Sequence, residues 1–177
     1  MKNYVETNVK RRTRYIDILL RFIWVAVAVW STFFAFLKNG MIMFFWIGIQ
    51  ATLMYFFWNH YKLEYEYIFC DGQIDFDTVR NNMKRKHILR VQLEDAEIFA
   101  PAESERIRNY RGIDTVLKYT SLMPDARIYA LIVKKQDKML KILFEPNDKM
   151  LRGIKNKIPR KVELREKDLE KILELDD

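Results

Sequence analysis

The first third of the chain contains two long apolar runs. Residues 16–37 carry only two charged side chains, both near the start of the run. At about 1.5 Å per helical residue this run spans roughly 33 Å, which is enough for the hydrocarbon core of a bilayer. A second run, residues 40–58, has no charge and follows after only Lys38 and Asn39. The pattern predicts an antiparallel hairpin of two transmembrane helices within residues 16–61.

Two other interpretations of these runs fit less well. A buried hairpin of a water-soluble domain needs a polar stripe on each helix, and neither run has one. A cleaved signal peptide needs a shorter apolar core followed by small residues, whereas the first run ends in Phe36, Leu37 and Lys38. We therefore expect two membrane spans.

After the second run, apolar and polar residues alternate. Leu63, Tyr65, Tyr67 and Phe69 fall on one side of an extended chain, which is typical of a half-buried strand. The dipeptide Asp71-Gly72 favours a two-residue turn, so residues 63–79 are predicted to form a β-hairpin. Further strands are predicted at Ile88–Leu93, Ala96–Ala100, Thr115–Ser121, Arg127–Lys135 and Met139–Glu145.

Helices are predicted mainly at the end of the chain. Asn147 or Asp148 is a suitable N-cap for an amphipathic helix that Pro159 ends. Glu166–Leu175 has the pattern of a further short helix, and Ser104–Arg111 that of a helical turn in a loop. Residues 62–177 are thus expected to form one domain of about seven antiparallel strands followed by a capping helix.

The net charge of +7 is divided unequally between these regions. Residues 1–61 carry seven basic and two acidic residues, a balance of +5, whereas residues 62–177 carry 24 and 22, a balance of +2. The basic N-terminal segment, residues 1–15, precedes the first span. By the positive-inside tendency, the N-terminus and the domain after the second span are both cytoplasmic. The predicted location is a bacterial plasma membrane, crossed twice, and the orienting residues are Lys10, Arg11, Arg12, Arg14 and Arg21.

The order of elements resembles a pleckstrin-homology (PH) domain, in which two antiparallel sheets form a barrel or sandwich that a C-terminal helix caps. The whole chain is similar to an uncharacterised family of short membrane proteins from Gram-positive bacteria with a two-span hairpin and a PH-like domain. The segments that carry this resemblance are Phe69-Cys70-Asp71-Gly72, Ile74–Asp77, Lys84–Lys86, Glu97–Pro101, Phe144–Pro146 and Ile158–Arg160. The resemblance implies an α+β membrane protein and does not imply an activity.

Residues with reactive side chains are few. His60 and His87 have no metal-binding partner at ligand spacing, and Cys70 has no base beside it in the sequence. A glycine-rich phosphate-binding loop is also absent from the sequence. We therefore predict no catalytic residue, no cofactor and no metal site, and we expect the protein not to be an enzyme. An enzyme that uses Cys70 as its nucleophile is the least favoured alternative.

The main charged feature of the domain is a basic run between the predicted second and third strands. Three interpretations stay open. Lysine and arginine at a strand edge prevent aggregation; they could instead contact anionic lipid. Nucleic acid is the least favoured ligand, because no aromatic residues alternate with the basic ones. The run comprises Arg80, Lys84, Arg85, Lys86 and Arg90.

The sequence therefore predicts a membrane-anchored, non-catalytic binding or scaffold module. Its expected partner at the inner leaflet is a protein or an anionic phospholipid. The alternative is a structural subunit of a homo-oligomer or of a larger membrane complex, for which Gly40, Gly48 and Ala28 offer close helix contacts.

Overall fold

The structure is a computed structural model that describes residues 4–12, 15–38, 40–59, 63–80 and 84–174. It divides into two compact units. One contains residues 12–62, and the other contains residues 1–11 together with residues 63–177. The helical unit is therefore an insertion into the chain of the β-unit.

The helical unit consists of α1 (Tyr15–Lys38) and α2 (Gly40–Asn59). The two helices contact each other through a hydrogen-bond cluster at Ser31. The indole nitrogen of Trp46 donates to Ser31 Oγ at 3.0 Å, and the amide of Gln50 approaches the same oxygen at 3.5 Å. No residue of α1 is buried.

The prediction of two spans is supported for the first helix only. Among the described residues, α1 alone is long and apolar enough to cross a membrane, whereas the apolar stretch of α2, Gly40–Phe56, is too short by the same measure.

Sheet 1 of the β-unit comprises β1 (Tyr4–Lys10), β2 (Leu63–Cys70), β3 (Gln73–Arg80) and β4 (Lys84–Gln92). They lie in the order β1-β2-β3-β4, and every pair is antiparallel.

The N-terminal segment, which we predicted only as a basic cytoplasmic stretch, thus contains a strand. Its alternating Val5, Thr7 and Val9 are the signal that could have revealed it, and both valines pack against the core.

Sheet 2 comprises β5 (Ala96–Pro101), β6 (Thr115–Tyr119), β7 (Tyr129–Lys135) and β8 (Lys138–Phe144), in the order β5-β7-β8-β6. Two expectations are wrong here. The β6–β8 pair is parallel. The reason is that the chain passes from β6 to β7 beyond the end of β8, and β7 then joins β8 through a hairpin. Within the described residues the eight strands form two separate sheets and not a closed barrel.

An aromatic core lies between the two sheets. Tyr67, Phe76 and Phe144 are almost completely buried, and their ring centroids lie 5.3 to 5.7 Å apart. Most of the contacts are edge-to-face, the geometry that aromatic pairs prefer. The outer side of sheet 2 is covered as well, since Ile107 of the short helix α3 (Glu105–Arg108) packs against Ala130.

Two C-terminal helices complete the core. The helix α4 (Asp148–Lys157) begins where predicted, and the side chain of Asn147 accepts a hydrogen bond from the backbone of Met150 at 2.8 Å. The second is α5 (Glu166–Glu174). Arg127 connects both helices to sheet 2, because its guanidinium lies 2.5 Å from Asp148 and 2.9 Å from the buried Asp168.

Candidate binding surface on sheet 1

The insertion of the helical unit defines one end of sheet 1. Lys10 at the end of β1 pairs with Glu64 near the start of β2, and the backbone of Arg11 donates to Leu63 at 3.0 Å. The chain therefore leaves for α1 and returns from α2 at the same end of the sheet, which we call the insertion end. Leu63 in turn aligns with Arg80 and Lys84. The connection between β3 and β4 consequently lies at the insertion end too.

Four of the five basic residues lie in β4, which begins at Lys84, so the prediction of a strand beginning at Ile88 was too short. Arg80 is the last residue of β3. Strand alternation divides the five predicted basic residues between two faces. Through the pairing register, Arg80 and Lys84 share the face of Leu63, and Lys86 shares that of Tyr65. We call these three residues the basic arm: Arg80, Lys84 and Lys86.

The basic arm is exposed although it lies on the core side of the sheet. Residues 84–88 of β4 are exposed, whereas Val91, near the other end of the strand, is only 2 % exposed. The β3–β4 pair thus extends past the buried core at the insertion end. Among the described residues, no carboxylate pairs with Arg80, Lys84 or Lys86. The arm therefore presents three positive charges at the insertion end.

Arg85 and Arg90 belong to the opposite, outer face of sheet 1, where they bind carboxylates. Arg90 contacts both oxygens of Asp75, at 2.7 and 3.0 Å. Arg85 bridges Asp77 at 2.6 Å and Glu66 at 3.0 Å. Partial burial opposes ionisation of Asp75, but the guanidinium of Arg90 outweighs it and holds the pKa of Asp75 below its ordinary value. These two arginines are therefore engaged within the sheet.

Two carboxylates of the outer face are largely buried. Glu66 and Asp77 are 6 % and 7 % exposed, because longer side chains of neighbouring strands cover them. His87 contributes to this cover, with Nδ1 2.8 Å from Asp77. Burial, followed by a hydrogen bond with Glu6, raises the pKa of Glu66 to about 7.

The residues predicted to orient the membrane segment have several roles. Lys10 lies in β1 and pairs with Glu64 at 3.7 Å. The guanidinium of Arg12 lies 5.6 Å from the ring centre of Tyr15. Arg21 lies in α1, and Arg14 lies outside the described residues.

The structure gives no support for reactive chemistry in the part of the chain that it describes. It contains no group of three or more metal-binding side chains there. Cys70 is a half-buried free thiol that aligns with Tyr4 and Gln73, while His87 aligns with Asp77, four residues further along β3. His60 lies outside the described residues.

The two facing sheets, the terminal helices and the aromatic core define a PH-like α+β fold. The sequence matches the family described as bacterial PH-like domain (DUF6106) over residues 1–164, and the chain belongs to this family. No curated protein and no solved structure matches the chain. The predicted resemblance to a bacterial PH-like family is confirmed. PH-like domains are generally binding modules.

Proposed function

We propose that the protein is a membrane-anchored, non-catalytic binding module whose basic arm contacts anionic phospholipid at the cytoplasmic face of the bacterial plasma membrane. The observation that supports this proposal is the position of the arm. It lies at the insertion end of sheet 1, where the chain also leaves for the apolar helical unit and returns from it.

The topology of sheet 1 supports two membrane crossings in place of one. The strands β1 and β2, before and after the helical unit, pair over their full lengths. Both strands must therefore lie on one side of a membrane, and the chain between them must cross an even number of times. Since α1 has the length and composition of a span, α2 is the segment that returns the chain. Both termini then face the cytoplasm.

The charge of the arm suits a surface of anionic headgroups. A lysine or arginine close to such a surface contributes about 1 kcal/mol, and the effect fades within a Debye length of about 8–10 Å. Lys84 aligns with Leu63, and Lys86 lies only two strand residues, or roughly 7 Å, further from the insertion end. The three charges thus lie within about one Debye length of one another, so they can act together on one charged surface.

The test compares two pairs of lysines in the full-length protein reconstituted into bilayers. Lys84→Gln/Lys86→Gln removes two of the three positive charges of the arm. Lys134→Gln/Lys138→Gln is the matched control at the β7–β8 turn. That turn lies at the other end of β4, as the ammonium of Lys135 donates to the carbonyl of Arg90 at 2.9 Å.

Hydrogen exchange of the β4 amides is measured in phosphatidylcholine with and without phosphatidylglycerol. We expect phosphatidylglycerol to slow exchange at the start of β4 in the wild type and in the control pair, and to slow it much less in the arm variant. Equal exchange in the two lipids, or equal responses of both lysine pairs, would contradict a lipid contact by the arm.

An open groove on α2 favours a second function as a structural subunit of a homo-oligomer. The groove has a volume of about 620 Å³ and is centred on Gly48, where an added Cβ would meet no atom within 4 Å. A neighbouring helix can approach closely at such a site. Single-molecule photobleaching of the protein in native membranes tests this function, and a uniform single bleaching step would exclude it.

A further inference from the structure

Glu66 occupies the centre of a network that connects all four strands of sheet 1. It lies on the outer face of β2, and its side chain is 8 % exposed. Glu66 aligns with Asn8 of β1, so Glu6, two residues along that strand and on the same face, is its diagonal neighbour. Diagonal neighbours are within reach of each other when the side chains are long, and Glu6 also accepts a hydrogen bond from the hydroxyl of Tyr4 at 2.8 Å. Two acidic groups therefore face each other across the β1–β2 pair.

The charges that surround this pair do not balance it when every group is ionised. Arg85 on β4 is the cation that bridges Glu66 and Asp77. His87, also on β4, contacts Asp77 and not Glu66. Glu64, the other acid on the outer face of β2, pairs with Lys10. Three carboxylates thus share one guanidinium, an arrangement that favours retention of one proton between Glu6 and Glu66.

We propose that Glu6 and Glu66 form a proton-binding clasp between β1 and β2, the strands before and after the helical insertion. When Glu66 holds the proton, it donates a hydrogen bond to the Glu6 carboxylate and links the strands. When the proton leaves, two like charges face each other in a largely buried site, and β1 is held less tightly at the edge of the sheet.

The electrostatics of the two groups agree with this geometry. Burial, followed by the hydrogen bond with Glu6, raises the pKa of Glu66 to about 7 from an ordinary value of 4.5. The hydrogen bonds from Glu66 and Tyr4 lower the pKa of Glu6. Between pH 4.5 and about 7 the folded protein binds more protons at Glu66 than the unfolded chain does. The pairing of β1 is therefore strongest below this window and weakens as the pH rises through it.

The test uses the full-length protein in bilayers of neutral lipid, so its result does not depend on binding to anionic headgroups. Hydrogen exchange of the β1 amides is measured from about pH 5.5 to about pH 8.5. The amides of β7, measured in the same samples, serve as the reference that corrects for the intrinsic pH dependence of exchange. We expect the relative protection of β1 to fall roughly ten-fold over this range, as the proton leaves the pair.

Three variants isolate the clasp. Glu66→Gln keeps a hydrogen-bond donor without the titration, so protection of β1 should stay high at every pH. Glu6→Gln removes the opposing charge and should also flatten the profile, which provides a second test if the first variant folds poorly. Glu163→Gln, which changes a partly exposed carboxylate 3.7 Å from Arg106, should behave as the wild type does.

Infrared spectroscopy gives an independent readout of the proton. Near pH 6.5 the wild type should show a protonated-carboxyl band that Glu66→Gln lacks, since an ordinary glutamate is ionised at about this pH. A flat wild-type exchange profile, a pH-dependent profile in Glu66→Gln, or the absence of the band from the wild type would each overturn the clasp.

Discussion

The helical unit and the β-unit use the same kinds of residue in opposite ways. Trp30 and Phe45 of the helical unit are 65 % and 75 % exposed, whereas Phe76 and Phe144 of the β-unit are at most 1 % exposed. Burying such aromatic side chains is the main source of stability in water. The β-unit therefore has a core of its own, while the helical unit leaves most of its large apolar side chains exposed. The comparison teaches that aromatic side chains of the same kind are buried in one region and exposed in the other.

The distribution of tryptophan makes this comparison measurable. All four tryptophans lie within residues 24–58, and the β-unit has none. Tryptophan fluorescence therefore follows the helical unit alone, and hydrogen exchange of β7 follows the core of the β-unit. The predictions below use these two signals on the full-length protein in mild detergent.

The largest expected effect comes from a truncation in the aromatic core. Phe144→Ala should destabilise the β-unit by about 3–5 kcal/mol, the usual cost of removing a buried phenylalanine. The matched change Phe33→Ala removes a ring that is 58 % exposed and should leave the exchange of β7 unchanged. Similar exchange of β7 in the two variants would erase the distinction between the units.

The next effect concerns the link between sheet 2 and the terminal helices. Asp168 accepts from Tyr129 at 2.6 Å and from Arg127 at 2.9 Å, and these bonds lower its pKa against the opposing effect of burial. Asp168→Asn should cost about 1.5–3 kcal/mol, because hydrogen bonds to a charged group are lost. The change leaves the helical unit untouched, so tryptophan fluorescence should stay the same.

The same carboxylate gives a pH dependence with a defined sign. Because the pKa of Asp168 is lower in the folded state than its ordinary value of 3.8, its contribution is present above that value and is lost as the pH falls through the folded pKa. The wild type should therefore lose β7 protection more steeply in acid than Asp168→Asn does. Parallel acid profiles would contradict this role.

A smaller effect is expected at the start of α4. Asn147→Ala removes the side-chain acceptor for Met150 and should destabilise the β-unit by about 1 kcal/mol. Asn147→Asp keeps an acceptor at the same position, so its β7 exchange should match the wild type. If both variants lose the same amount of protection, the cap does not contribute as described.

The smallest effect should appear in the helical unit. Ser31→Ala removes the acceptor for Trp46 and Gln50, and such bonds between membrane helices contribute about 0.6 kcal/mol on average. We expect a small red shift of tryptophan emission with no change in β7 exchange. Thr52→Ala is the control, since Thr52 donates within its own helix to Gly48. A red shift of equal size in the control would show that the cluster does not join the helices.

Local signals in the sequence were sufficient for several elements of the fold. The turn at Asp71-Gly72 was predicted from the dipeptide, and both residues have the positive φ angles, 49° and 90°, that such a turn requires. The helix after Asn147 and the turn after Ser104 follow from caps within a few residues. In each case the interaction that fixes the element lies close to it in the chain.

The missed features depend on partners far along the chain. The strand β1 pairs with β2 across the whole helical insertion, so its short alternation had no neighbouring strand to support it. The sequence predicts that the five basic residues form one candidate contact. Their division between two faces depends on the register of β4 and on a bulge between Phe76 and Asp77. The buried position of Glu66 likewise results from cover by side chains of adjacent strands.

The insertion between β1 and β2 also sets an order of assembly. During synthesis β1 leaves the ribosome first, and it must wait without its neighbour until residues 12–62 and β2 have been made. Closing so long a loop has an entropic cost that a preformed pair of antiparallel helices reduces, because it holds the two ends of the insertion near each other. We therefore expect the helical unit to form before sheet 1 is complete, so that a fault in the helices delays folding of the β-unit.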